Sequence, residues 1–180
     1  MEFLIGGIGF VLFFLYDWNR VFWKHKWMSG FFWIGCLCQI AAGISFVMKA
    51  WRGQGDGWLI FMAAAVICLI GLIYTLFFAL PFDSTYCQGA DQNKVCRTGI
   101  YGVCRHPGIW WFFGCFFCLG MACEDRTVLM YGLGLSFLNL LYAWYQDKWI
   151  FPEEFCDSGD YKKEIPFLLP VRRKRGGEGK

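Results

Sequence analysis

Apolar runs too long for an ordinary soluble core dominate this chain, and the charged residues fall between them in short blocks. Residues 58–80 (WLIFMAAAVICLIGLIYTLFFAL) hold no charge over 23 positions. That is the length a helix needs to cross a hydrocarbon layer of about 30 Å. Residues 30–48 and 127–146 are also uncharged at spanning length, and 107–123 sits at the short end of the range. The N-terminal run, 3–16, is shorter; it spans if its aromatic flank is counted and otherwise lies half inserted. It carries Glu2 instead of a basic n-region and has no A-x-A-like cleavage site, so it reads as a retained helix. The pattern predicts an all-α, polytopic membrane protein of about five transmembrane helices. Residues 1–170 form a single domain and residues 171–180 a basic flexible tail.

Composition agrees, since 57% hydrophobic and 21% aromatic content is far above a soluble mix. Charge then orients the helices. Arg20, Lys24 and Lys26 in the 17–29 loop, Lys94, Arg97 and Arg105 in the 81–106 loop, and eight lysines and arginines from Lys148 onward fall on one side. The other side receives Lys49, Arg52 and Arg126. Fourteen against three predicts that the 17–29 and 81–106 loops and the C-terminus are cytoplasmic.

Other features read as structural. Cys36, Cys38, Cys68, Cys115 and Cys118 lie inside apolar runs, where cysteine acts as a small hydrophobe. Cys87, Cys96, Cys104 and Cys156 belong to the cytoplasmic face, where thiols stay reduced. The mid-helix CxxC of Cys115 and Cys118 lacks a partner set at zinc spacing, so no metal is expected. The glycines of GGIG (6–9) and GLG (132–134) suit close helix contacts, not a nucleotide loop, because neither opens a βαβ unit. Gly53–Gly57 is a tight turn. Gln39 and Asn139 suit hydrogen bonds between helices. The 17–29 loop mixes Trp18, Trp23 and Trp27 with cations, a composition for the headgroup layer, and the polybasic tail suits anionic lipid, with no nucleic-acid role required.

Polar chemistry concentrates in two cytoplasmic segments, TGIYGVCRHP (98–107) and YQDKWIFPEEFCDSGDYKKEIPFLLP (145–170). In the first, Pro107 suits a first helical turn, so Arg105 and His106 crown a helix N-terminus whose free amides favour an anion such as a carboxylate. In the second, Asp147, Glu153 and Glu154 supply negative charge. A cationic ligand bearing a carboxylate fits between the two.

The block GxYxxxRHP, here Gly99, Tyr101, Arg105, His106 and Pro107, is followed by an apolar helix pair and an acidic segment ending in YKKEIPFLLP. Over residues 95–170 this resembles the isoprenylcysteine carboxyl methyltransferase and phospholipid methyltransferase superfamily. The resemblance implies an S-adenosylmethionine site formed by the loop before helix 4 and the C-terminal segment. It also implies a lipophilic methyl acceptor, such as a prenylcysteine carboxylate, a phospholipid amine or an isoprenoid-like small molecule, entering from the bilayer. Tyr101, Arg105, His106, Pro107 and Tyr161 carry over as cofactor-binding positions, with Arg105, His106 and Asp147 catalytic. The acidic partner is Asp147 if the spacing to Tyr161 is kept, or Glu153 and Glu154 by local similarity. The family continues RHPxYxG, whereas Ile109 and Trp111 stand at those positions here. Two other readings of the same features are an NADPH-dependent membrane reductase of sterol-reductase type and a non-enzymatic scaffold whose basic tail binds lipid.

Overall fold

A computed structural model describes residues 1–53, 56–79, 95, 97 and 99–169. Cys87, Lys94, Cys96, Pro170, the middle of the GQGDG turn and the basic tail 171–180 lie outside the described residues. All regular structure among the described residues is helical. The main helices are α1 (Glu2–Trp18), α2 (Gly30–Gly53), α3 (Trp58–Ile73), α4 (Gly108–Ala122) and α5 (Arg126–Tyr145), followed by the short α6 (Phe151–Glu154) and α7 (Ser158–Glu164).

Four continuous helical runs are long and apolar enough to cross a membrane: Glu2–Trp23, Lys26–Gly53, Trp58–Phe78 and Arg126–Glu154. The first segment therefore reaches spanning length, because a π-helical turn, Asn19–Trp23, carries α1 through Asp17, Asn19 and Arg20. The expectation of five spans is met only in part. Helix α4 has 15 residues, a rise of about 22 Å at 1.5 Å per residue. Pro107 fixes its start, and Glu124, at φ 52°, turns the chain just beyond its end. It is also the most enclosed helix, burying Phe112, Cys115, Phe116, Leu119, Gly120 and Ala122 against α2, α3 and α5.

Between helices in lipid, apolar burial supplies little drive, so close packing and hydrogen bonds hold the bundle. Helices α1 and α2 run antiparallel: Glu2 meets Lys49 at 3.1 Å, and Gly9 meets Gly35 near mid-helix. A Cβ on Gly9 would lie 3.0 Å from the Gly35 carbonyl, and one on Gly132 would lie 2.9 Å from that of Phe116. Gly6, Gly9, Gly132 and Gly134 thus serve close helix contacts, whereas a Cβ on Gly7 would meet only Leu138 at 4.0 Å. Gln39 Nε2 donates to the Gly6 carbonyl at 2.9 Å, the expected interhelical bond. Edge-to-face pairs Phe10–Phe112 and Phe46–Phe116, with centroids 5.8 and 5.2 Å apart, fill the centre, and each contributes about 1 kcal/mol. Helix α3 packs mainly on α4 and turns an apolar flank outward, Ile60 being 74% exposed.

Cation-rich segments collect at one end of the bundle. Arg20 of the first run pairs with Glu154 at 2.7 Å, and Arg105 pairs with Asp147 at 2.7 Å. Asn19 closes the loop after α1 by bonding both backbone groups of His25, at 2.8 and 2.9 Å. At the opposite end the Cys123 thiol lies 3.7 Å from the Phe46 carbonyl.

Candidate functional site

Helix α5 starts on Asp125, whose carboxylate accepts from the Thr127 N–H at 2.8 Å. It runs to Tyr145 and then widens into a π-helical turn, Gln146–Ile150. Such a turn holds more residues than an α-turn, which redirects the side chains it carries, and it is frequent at functional positions. Asp147 sits in it, facing the start of α4.

Buried Pro107, at φ −64°, begins α4, leaving Arg105 and His106 at its mouth. The Arg105 N–H donates to the Pro166 carbonyl at 3.0 Å, binding this mouth to the chain after α7. Arg105 Nη1 lies 2.7 Å from Asp147 Oδ1, and His106 Nε2 is 3.7 Å from the same oxygen, beyond direct hydrogen bonding but within reach of its charge. Lys162 donates to the Asp147 carbonyl, and its Nζ lies 3.6 Å from Oδ2. The ring of Phe151 stacks on His106 at 5.6 Å, Phe167 lies 4.9 Å away, and the Arg105 guanidinium sits over Phe167.

Charge is unbalanced here. Two cations face one carboxylate, and the N-terminus of α4 adds partial positive charge. Burial pushes the imidazole of His106 below its ordinary range; Asp147 opposes this, and Arg105 and Lys162 add to it. A neutral ring is the result near pH 7. The His106 and Arg105 side chains are only 9% and 10% exposed, yet His106 Nε2 and Arg105 Nε have no hydrogen-bond partner. Buried polar atoms of this kind are costly unless something satisfies them.

The other expected residues are distributed unevenly. Tyr101 donates to the Thr75 carbonyl at 2.9 Å, and buried Tyr161 donates to the Tyr101 carbonyl at 2.8 Å. Both tyrosines thereby join the loop before α4 to its neighbours. Arg97 reinforces that junction by pairing with Asp157 at 2.8 Å and with Glu164. Asp157 also accepts from the Val95 N–H at 2.9 Å; burial pushes its carboxyl up, but these bonds outweigh it and hold the group below the usual range. Of the acidic alternatives, Asp147 meets Arg105 and His106. Glu154, at the end of the short helix Phe151–Glu154, turns to Arg20, and Glu153 is exposed. Trp111 packs on Gly71, and Trp110 Nε1 donates to the Leu168 carbonyl at 3.1 Å.

Sequence reasoning missed Lys162, Phe151 and Phe167. Lys162 follows Tyr161 directly, and Phe167 follows the proline whose carbonyl binds Arg105, so their spacing within YKKEIPF was the available signal. Among the described residues no group of three or more His, Cys, Asp or Glu is placed to hold a metal ion.

Fold and site together define a helical bundle with four runs long and apolar enough to cross a membrane and a buried, cation-rich polar group at one end. Compared with protein-family models, characterised proteins and solved structures, the chain matches none.

Proposed function

We propose that the chain is an S-adenosylmethionine-dependent methyltransferase acting on a lipophilic acceptor at the cytoplasmic face of the membrane. One observation carries the reading: His106 Nε2 and Arg105 Nε lie buried and unpartnered at the mouth of α4, beside a single carboxylate that already serves two cations. A carboxylate-bearing ligand balances that charge and satisfies those atoms. The motif resemblance over residues 95–170 supplies the cofactor class.

The residues fit the group on these grounds. Arg105 and His106, at the positive end of α4, would hold the carboxylate; Asp147 and the Phe151 and Phe167 rings would face the cationic part. S-adenosylmethionine supplies an electrophilic methyl on a sulfonium. The chain's own work is orientation and charge placement. A carboxylate acceptor requires no base. An amine acceptor must first lose a proton, and neither Asp147, engaged by Arg105 and Lys162, nor a His106 Nε2 that donates to the ligand carboxylate takes it.

Thermal unfolding of the detergent-purified chain tests this directly, because a ligand that binds only the folded state raises the midpoint. S-adenosylmethionine and S-adenosylhomocysteine should raise it saturably and NADPH should not; no rise with either methyl-donor compound overturns the proposal. With labelled donor and native membrane extract, His106→Ala should abolish transfer while yield and helix content stay unchanged.

A further inference from the structure

The last turn of α5 is gripped from the side away from Arg105 as well, and that grip comes from α1. Asp17, only 2% exposed, lies in the first membrane-crossing run. An ionisable side chain enclosed there is costly and needs a reason. Tyr142 Oη and Gln146 Nε2 both donate to its Oδ2 at 2.7 Å, and Gln146 Nε2 also lies 2.9 Å from Tyr142 Oη. Arg20 Nη2 stands 3.8 Å from Asp17 Oδ1 and 2.7 Å from Glu154 Oε2. Groups on the first run therefore hold the 146–154 segment at both ends. Gln146 opens the π-helical turn, and Asp147 is the next residue.

We propose that Asp17 and Gln146 are positioning residues: their hydrogen bond fixes the wide turn at the end of α5 and so seats Asp147 against Arg105, His106 and Lys162. A π-turn is an uncommon, locally held conformation. Cutting the bond at Gln146 frees the turn to relax, and Asp147 moves with it. The first helix thus shapes the polar group through Gln146. Only the ligand-binding arm of the test rests on the methyl-transfer reading.

Gln146→Met removes the tie without altering charge. The chain contains two histidines, so nitrogen-15 NMR of the full-length protein in micelles can follow His106 against His25. The charged groups facing His106 are Asp147, Arg105 and Lys162. Asp147→Asn is the reference: loss of the carboxylate should weaken proton binding at His106 about tenfold, the lower end for an opposite charge at this range. Gln146→Met should shift it in the same direction, by at least half as much on a logarithmic scale. Tyr142→Phe, a milder cut in the same network, should give a smaller shift and serves if the first variant does not fold. A wild-type titration in the variant that folds, or no shift in Asp147→Asn, overturns the proposal. In the ligand-binding arm, Gln146→Met should bind S-adenosylmethionine about tenfold more weakly, one hydrogen bond to a charged group. Absence of binding by the wild-type chain counts against the methyltransferase reading alone, and the His106 titration still decides the positioning role.

Discussion

Replacing Asp147 with Asn leaves Arg105 and Lys162 facing a neutral amide in a pocket where the paired side chains are only 10% and 14% exposed. At the observed 2.7 Å, Coulomb's law with an effective dielectric of about 20 gives roughly 6 kcal/mol of attraction before the cost of desolvation. Much of that offsets the removal of both charges from water, so the expected loss for Asp147→Asn is about 3 kcal/mol, as for other buried pairs that lose one partner. Arg105→Gln should cost less, because Asp147 keeps Lys162. The double variant should be more stable than the summed losses predict by about 2 kcal/mol, since no orphaned Arg105 charge remains. Reversible unfolding in mixed micelles, followed by circular dichroism, measures all four stabilities. The exposed pair Lys163–Asp160, 3.0 Å apart at 77% and 70% exposure, is the control and should show no measurable coupling. Raising salt should leave the Arg105–Asp147 coupling nearly unchanged, because buried pairs are weakly screened. Strictly additive losses for Arg105 and Asp147 would refute the reasoning, and so would a coupling that salt abolishes.

Two further outcomes follow from burial and packing. Burial first, opposed by Asp147 and aided by Arg105 and Lys162, depresses the His106 pKa in the folded chain. The unfolded chain therefore binds more protons below the ordinary value of about 6.5. Its contribution to stability is complete above that pH and declines as pH falls toward the folded value. Stability curves between pH 7.5 and 5 should be steeper for the wild type than for His106→Asn, and equal slopes would remove the buried neutral imidazole. On α1, Gly9→Ala drives a Cβ to within 2.9–3.0 Å of Gln39, Cys38 and the Gly35 carbonyl, whereas at Gly7 the Cβ meets only Leu138 at 4.0 Å. The first should cost about 1–3 kcal/mol in the same unfolding assay. Gly7→Ala should be neutral or mildly stabilising, and similar costs at both positions would contradict the close α1–α2 contact.

Legibility in the sequence tracked how local each cause was. Apolar length alone revealed the runs of α2, α3 and α5, because spanning a bilayer depends on the chain's own composition. Helix α1 looked short for the same reason: Asp17, Asn19 and Arg20 interrupt its run, and the partners of Asp17 and Arg20, namely Tyr142, Gln146 and Glu154, come from more than 120 residues later. The mouth of α4 was legible because proline at a helix start acts within a few residues. Which of Asp147, Glu153 and Glu154 meets Arg105 depends on the rotation of the chain after Tyr145, and spacing cannot supply a rotation. The π-helical turn sets it, sending Gln146 to Asp17 and Asp147 to Arg105, while the same helical run continues through Pro152 and turns Glu154 toward Arg20. Lys162 was hidden for a related reason. In YKKE it looks like part of a solvated basic face, yet the chain after α7 folds back along Arg105 and brings it to Asp147. The polar group is thus assembled by helix ends distant in sequence. Its charge, two cations against one carboxylate, is a property of that assembly and of no single segment.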